Sequence, residues 1–148
     1  MAAMNTLKSV YSHIKDFANN HYMIEEFHLL GSAEDLGYTD FGFRSLALIP
    51  SASNISRNLS SPTYSLEFQV VVLDKIESHN AEQMINATEE NIFVLGQLQD
   101  YLLQVGIDCD MSDAELFTST GDDYNIASIV SNLTVTLSRK CYQMNINV

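Results

Sequence analysis

The chain has 148 residues, a length at which one domain buries roughly 68–70% of the surface its unfolded form exposes, so no disulfide or metal is needed to hold it together. A hydrophobic share of 46% with 18% charged residues excludes the disordered and fibrous classes. Nineteen acidic residues against seven basic ones leave a net charge of −12, which repels polyanions and excludes a tight nucleic-acid binder.

Leu7, Val10, Tyr11, Ile14 and Phe17 recur at spacings of three and four, which predicts a helix of about four turns ended by Asn19-Asn20. Met23, Ile24, Phe27, Leu29 and Leu30 lack clean periodicity, and this stretch, closed by Gly31, reads as a turn leading into a short strand. Residues 41–50 hold the apolar run Leu46, Ala47, Leu48 and Ile49. Pro50 stops it, having no N–H to give to a ladder, so a strand is expected to end there. Residues 51–62 are small, polar and turn-rich between two β-like segments, and read as a long hairpin loop.

The clearest strand follows, with Tyr64, Leu66, Phe68, Val70 and Val72 on one face and Ser65, Glu67 and Gln69 on the other. Val71 and Leu73 make its far half apolar on both faces, so that half is expected to be covered on both sides. Asn80, with Gln83 three positions on, resembles a capping box and predicts a long helix. Ile85, Thr88, Ile92, Leu95, Leu102 and Val105 are read as its buried face, widened by Phe93, Leu98 and Leu103, and Gly106 ends it. Residues 107–123 are acidic and irregular apart from a brief strand at Leu116, Phe117 and Thr118. Ile129, Ser131, Leu133, Val135 and Leu137 then alternate with Val130, Asn132, Thr134 and Thr136 as a strand, and Tyr142, Met144, Ile146 and Val148 mark a last β-like run. The order predicts an α+β domain over residues 1–148, a mainly antiparallel β-sheet with an N-terminal helix and one long central helix packed on one face.

Candidate chemistry is sparse. Asp108, Asp110 and Asp113 begin like a calcium loop, but Asp113 stands where the required Gly would be and Ser119 where the terminal Glu would be. His13, His21, His28 and His79 form no HxxxH or HExxH pair, the serines near 51–61 sit in no GxSxG elbow, and the six glycines build no phosphate-binding loop. Glu25-Glu26 and Glu89-Glu90 are ordinary neighbours in so acidic a chain, not an acid-base pair. Cys109 and Cys141 lack metal spacing and read as free thiols. Four Asn-X-Ser/Thr sequons, at Asn54, Asn58, Asn86 and Asn132, follow no secretory signal and read as coincidence. No catalytic residue, metal ligand or cofactor site is assigned. Phe68, Phe93, Tyr101 and Met144 are expected in the core rather than around a ligand.

Phe17-Ala18-Asn19-Asn20-His21-Tyr22-Met23-Ile24, the strand ending at Pro50, the strand from Tyr64 to Lys75, the long helix, and Asp122-Asp123-Tyr124-Asn125-Ile126 leading into Leu133-Thr134-Val135-Thr136-Leu137 form one succession. It resembles a family of small structural proteins of tailed bacteriophages, similar to the tail terminator and tail-completion proteins. The chain departs from that family where a Gly-Trp pair would follow the acidic turn, for Ala127-Ser128-Ile129 stand there and no Trp occurs. The resemblance implies a non-enzymatic virion protein, made in the host cytoplasm, without a membrane. It would form a homo-oligomeric ring in the neck or tail beside portal-side or tail neighbours, with genome DNA passing through the lumen unbound. A head-tail adaptor or stopper of the neck is the alternative within that class, and a small cytoplasmic adaptor module the alternative outside it.

Under the ring reading the residues expected to touch other copies or rings are Ser53, Asn54, Arg57 and Asn58 in the polar loop, Asp122 and Asp123 in the acidic turn, and Tyr142, Met144 and Ile146 near the C-terminus.

Overall fold

A computed structural model describes residues 6–32, 35, 44–50, 63–76, 81–120 and 125–138. The elements run α1 (Leu7–Asn20), β1 (Glu26–Leu29), β2 (Arg44–Pro50), β3 (Thr63–Ile76), α2 (Ala81–Gln104), β4 (Asp108–Met111), β5 (Glu115–Thr120) and β6 (Asn125–Ser138). The fold is the expected α+β arrangement, a sheet in the order β1-β2-β3-β6-β4 with β5 also on β6. Every pairing is antiparallel except β1 with β2. β3 and β6, each 14 residues long, pair along their whole length and form the spine.

Alternation along the spine sends two sets of side chains to opposite faces. Phe68, Val70 and Val72 of β3 and Ile129, Leu133, Val135 and Leu137 of β6 join Leu46 and Leu48 of β2 in the main core, where Val10, Ile14 and Phe17 of α1 and Val94, Leu98 and Leu102 of α2 cover them. Leu30, Ala47, Ile49, Val71 and Leu73 form a second buried cluster on the other face. The expected two-sided burial of β3's far half is therefore present.

Local chemistry sets the helix ends. Thr6 caps α1: the Ser9 N–H donates to Thr6 Oγ1 at 3.1 Å and the Thr6 N–H to Ser9 Oγ at 2.8 Å, so two orphan donors are satisfied reciprocally. Past its end, the Met23 N–H donates to His21 Nδ1 at 3.1 Å, which leaves the proton on Nε2 to donate to Gln97 Oε1 of α2. Phe17 packs on Tyr101 with ring centroids 5.5 Å apart, so α1 is held to α2 by both a polar and an aromatic contact. At the end of α2, Gly106 takes φ +83°, its N–H donates to the Leu103 carbonyl and the Ile107 N–H to the Leu102 carbonyl. That is a Schellman closure, and the buried pair Leu102 and Ile107 supplies its apolar contact.

Two expectations are corrected. The stretch after α2 is not irregular: Asp108–Met111 is a strand, whose half-buried Cys109 and Met111 alternate with exposed Asp108 and Asp110. Four residues of alternation amid so many acids give too short a signal to read. The buried face of α2 is the expected one only in part: Leu95, Leu98 and Leu102 are buried as expected, but the first half of the helix presents other residues. Ala87, Asn91, Val94, Leu95, Leu98 and Leu102 are buried, whereas Ile85 is 66% exposed and Ile92 49%, with Phe93 and Leu103 exposed as well. Phe93 thus leaves the expected core; Phe68 is buried in it, Tyr101 lies partly buried against it, and Met144 is outside the described residues. The Asn80 capping box also lies outside them.

The rotation of α2 has a measurable consequence. Leu98→Ala should cost about 2–5 kcal/mol of unfolding free energy, as deletion of a fully buried leucine does, and Ile92→Ala within about 0.5 kcal/mol of zero, both read from urea denaturation. Comparable losses at the two positions would mean that α2 does not face the sheet as described.

Candidate functional site

Two features of the described residues go beyond simple core packing: a charged cluster under α2 and the outer edge of the sheet formed by β4 and β5.

The cluster centres on Arg44 at the start of β2. Register places it opposite Asp74 of β3, and both side chains lie on the helix-covered face. Arg44 Nη2 donates to Asp74 Oδ2 at 2.8 Å and to Glu90 Oε2 of α2 at 2.6 Å, while Nε donates to Asn91 Oδ1 at 3.2 Å. Asn91, fully buried, uses Nδ2 to donate to the Ala127 carbonyl of β6 at 3.1 Å. One guanidinium therefore joins β2, β3 and α2, and Asn91 extends the chain of bonds to β6. Burial pushes the Asp74 carboxyl above its ordinary value of 3.8; Arg44 pulls it back, and the neighbouring negative charge of Glu90 adds to the rise. Two carboxylates against one cation leave a net negative charge beneath the helix. The arrangement braces the fold: it has no nucleophile, and the cation is already engaged by two acids.

The outer edge is one long strand with a defect in it. Met111 of β4 pairs with Leu133, and Glu115 of β5 pairs with Val130, so Ser112, Asp113 and Ala114 oppose only Ser131 and Asn132 of β6. The extra residue is a β-bulge, and it is held by side chains. The Ser112 N–H donates to the Asn132 carbonyl at 2.9 Å, the Asn132 N–H donates to Ser112 Oγ at 2.9 Å, and Ser131 Oγ donates to the Ser112 carbonyl at 2.9 Å. Beyond the bulge the alternation is shifted by one. Leu116, paired with Ile129, comes to the helix side, and Phe117, paired with Ser128, to the other. Leu116 is 55% exposed and Phe117 50%. Among the described residues no strand pairs with the outer side of β5.

Acidic groups gather along the same border. Asp108, Asp110, Asp113 and Glu115 are all exposed. Cys109 between them is a free thiol, and burial, followed by the charges of Asp108 and Asp110, pushes its pKa up, so it is a poor nucleophile. Among the described residues no three metal-ligating side chains converge, and no helix is long and apolar enough to cross a membrane.

The residues that the sequence pointed to as contacts, Ser53, Asn54, Arg57, Asn58, Asp122, Asp123, Tyr142, Met144 and Ile146, lie outside the described residues. The charged cluster has no local pattern in the sequence because the partners of Arg44 lie 30 to 47 positions away from it. An isolated Arg in the apolar run of β2 was its one local signal. The bulge had a signal too, the polar break of Ser112 and Asp113 ahead of Glu115, although only the register reveals it. No protein-family model matches the chain, and no curated protein matches it.

Removing one partner from a buried ion pair strands the other. Arg44→Ala should therefore lower stability by about 3–5 kcal/mol. Asp74 tests the sign of the cluster's charge. Its folded pKa is raised, so its contribution to stability is complete below the ordinary 3.8 and is lost as pH rises through the folded value. Asp74→Asn, a shape match for the protonated acid, should equal the wild type at acid pH and exceed it at neutral pH in denaturant titrations. A variant that falls steadily below the wild type as pH rises would show that Arg44 outweighs burial.

Proposed function

We propose that this chain is a structural subunit that associates with copies of itself into a ring of a bacteriophage neck or tail, joining or terminating the tail, and that it is not an enzyme. The observation that carries the proposal is the outer edge at β5. A strand with a free row of N–H and C=O groups is a template for pairing, and natural proteins protect such edges with lysines, prolines or very short strands. β4 is short and carries Asp108 and Asp110, whereas β5 is six residues long, has neither Lys nor Pro, and shows half-exposed Leu116 and Phe117 on its two faces. Both apolar side chains and the backbone of β5 would be satisfied by a neighbouring subunit.

Two further points support the reading. The ends of the sheet are unlike, β1 being a short strand paired in parallel and β5 an antiparallel one. A contact that uses β5 on one copy and a different surface on the next is head-to-tail, and such contacts close into rings when the rotation allows. The excess of acids, with Asp108, Asp110, Asp113 and Glu115 all exposed near that edge, suits a wall past which DNA slides without adhering, since like charge prevents phosphate contacts.

Leu116→Lys and Phe117→Lys, made together, place charge on both faces of the edge. The wild type should give closed rings in negative-stain images and a matching mass by light scattering. The double variant should be monomeric and should still unfold cooperatively, at a melting temperature lowered only by the lost association. A wild type that stops at a dimer, as isologous β5-to-β5 pairing would give, or rings that survive the double substitution, would overturn the proposal.

A further inference from the structure

Among the described residues the exposed side of α2 belongs to none of the core clusters, yet its composition is unlike that of a plain solvent face. At about 100° per residue, Ile85, Ile92, Gly96 and Leu103 fall within about 40° of one another around the helix. They form an apolar stripe along most of the helix's length, and all three large side chains are exposed. Gly96 adds a shallow notch at its middle, for a Cβ built there would meet nothing within 4 Å. Immediately beside the stripe, about 60–80° round from Ile92 on the same wheel, runs an acidic row of Glu82, Glu89 and Asp100. Glu89 and Asp100 make no ion pair among the described residues, and α2 contains no Lys or Arg.

We infer that this face docks a basic amphipathic helix of another protein, with apolar side chains lying along Ile85, Ile92 and Leu103 and cations reaching Glu89 and Asp100. Helix-in-groove recognition reads apolar anchors at spacings of three, four and seven, and the stripe presents the complementary positions. The charge selects the occupant. A second copy of this chain would bring another α2 with four acids and no base; paired antiparallel, each acidic row would face its own image. A cationic helix meets both halves of the surface at once. Gly96 lets its backbone approach closely where a side chain would hold it away.

The inference stands apart from the ring proposal and is tested separately. The probe is a fluorescein-labelled peptide of about five helical turns built from Leu and Lys, with leucines at i, i+3, i+4 and i+7, read by anisotropy at moderate salt. A scrambled peptide of equal composition without a stripe serves as control. The patterned peptide should bind at least about tenfold more tightly than the scrambled one, and Ile92→Ser with Leu103→Ser should remove about that factor. Glu89→Gln with Asp100→Asn should weaken binding several-fold and reduce its salt dependence. All four positions are exposed, so thermal melting should confirm that each variant remains folded.

Equal binding of the two peptides, or no loss in the serine variant, would mean that the acidic chain attracts cations indiscriminately and would overturn the inference. So would a wild-type dimer that the serine variant dissolves, because a second copy would then be the occupant. The peptide outcomes leave the ring proposal untouched, because that proposal is read from particle images and mass of the Leu116→Lys and Phe117→Lys variant.

Discussion

Everything on the helix-covered side of this protein depends on how α2 is rotated about its own axis, and that rotation is fixed by hydrogen bonds to buried polar groups. Asn91 must face the sheet because its buried amide joins Arg44 to the Ala127 carbonyl. An unsatisfied buried amide or guanidinium costs more than a few exposed methyl groups. The helix therefore gives up burial of Ile85, Ile92 and Phe93 and keeps Ala87 and Asn91 inside. The small Ala87 lets the first half of α2 sit close over Ile76 and Ala127, while the second half fills the main core through Leu98 and Leu102.

The same reasoning marks what was legible in the sequence and what was not. α1, β2, β3 and β6 follow patterns in which the strongest period and the buried face agree, so reading apolar residues at intervals of two or three to four located them. β5 showed in three residues. α2 was found as a helix because its length and closing glycine are local properties. Its orientation is misread in the first half alone, where Ile85 and Ile92 outweigh Ala87 and Asn91, while Leu95, Leu98 and Leu102 are read correctly. What decides between the two is Arg44, far away in β2. Long-range polar partners carry no periodicity, and a pattern read within one helix has no access to them.

The outer edge obeys a comparable logic. Had β4 run straight into β5, Phe117 would follow Cys109 and Met111 onto the helix-covered side and Leu116 would point away. The bulge at Ser112 to Ala114 exchanges the two. The side-chain bonds of Ser112 and Ser131 hold the extra residue in place, so the register of β5 is set locally rather than by the cover of a helix. Burial would ordinarily fix that register, since a one-residue slip moves an apolar set from core to solvent. Here the set is half-exposed on both faces and burial cannot choose. A strand whose register is fixed by hydrogen bonds while its apolar side chains stay unburied is prepared to receive a partner.

Charge then separates the two unused surfaces. Copies carrying −12 each repel one another over a screening distance of about 10 Å at moderate salt. Under the ring proposal, pairing at β5 would have to rely on short-range backbone hydrogen bonds and the burial of Leu116 and Phe117, and it would strengthen as salt rises. The α2 face works in the opposite sense. Its stripe is bordered by acids, so the inferred cationic partner would be drawn in by long-range attraction and held by the apolar contact, and added salt would weaken the approach. If both proposals hold, one acidic chain would keep self-association and partner binding apart through their opposite responses to ionic strength, because the acids oppose the first contact and select the second.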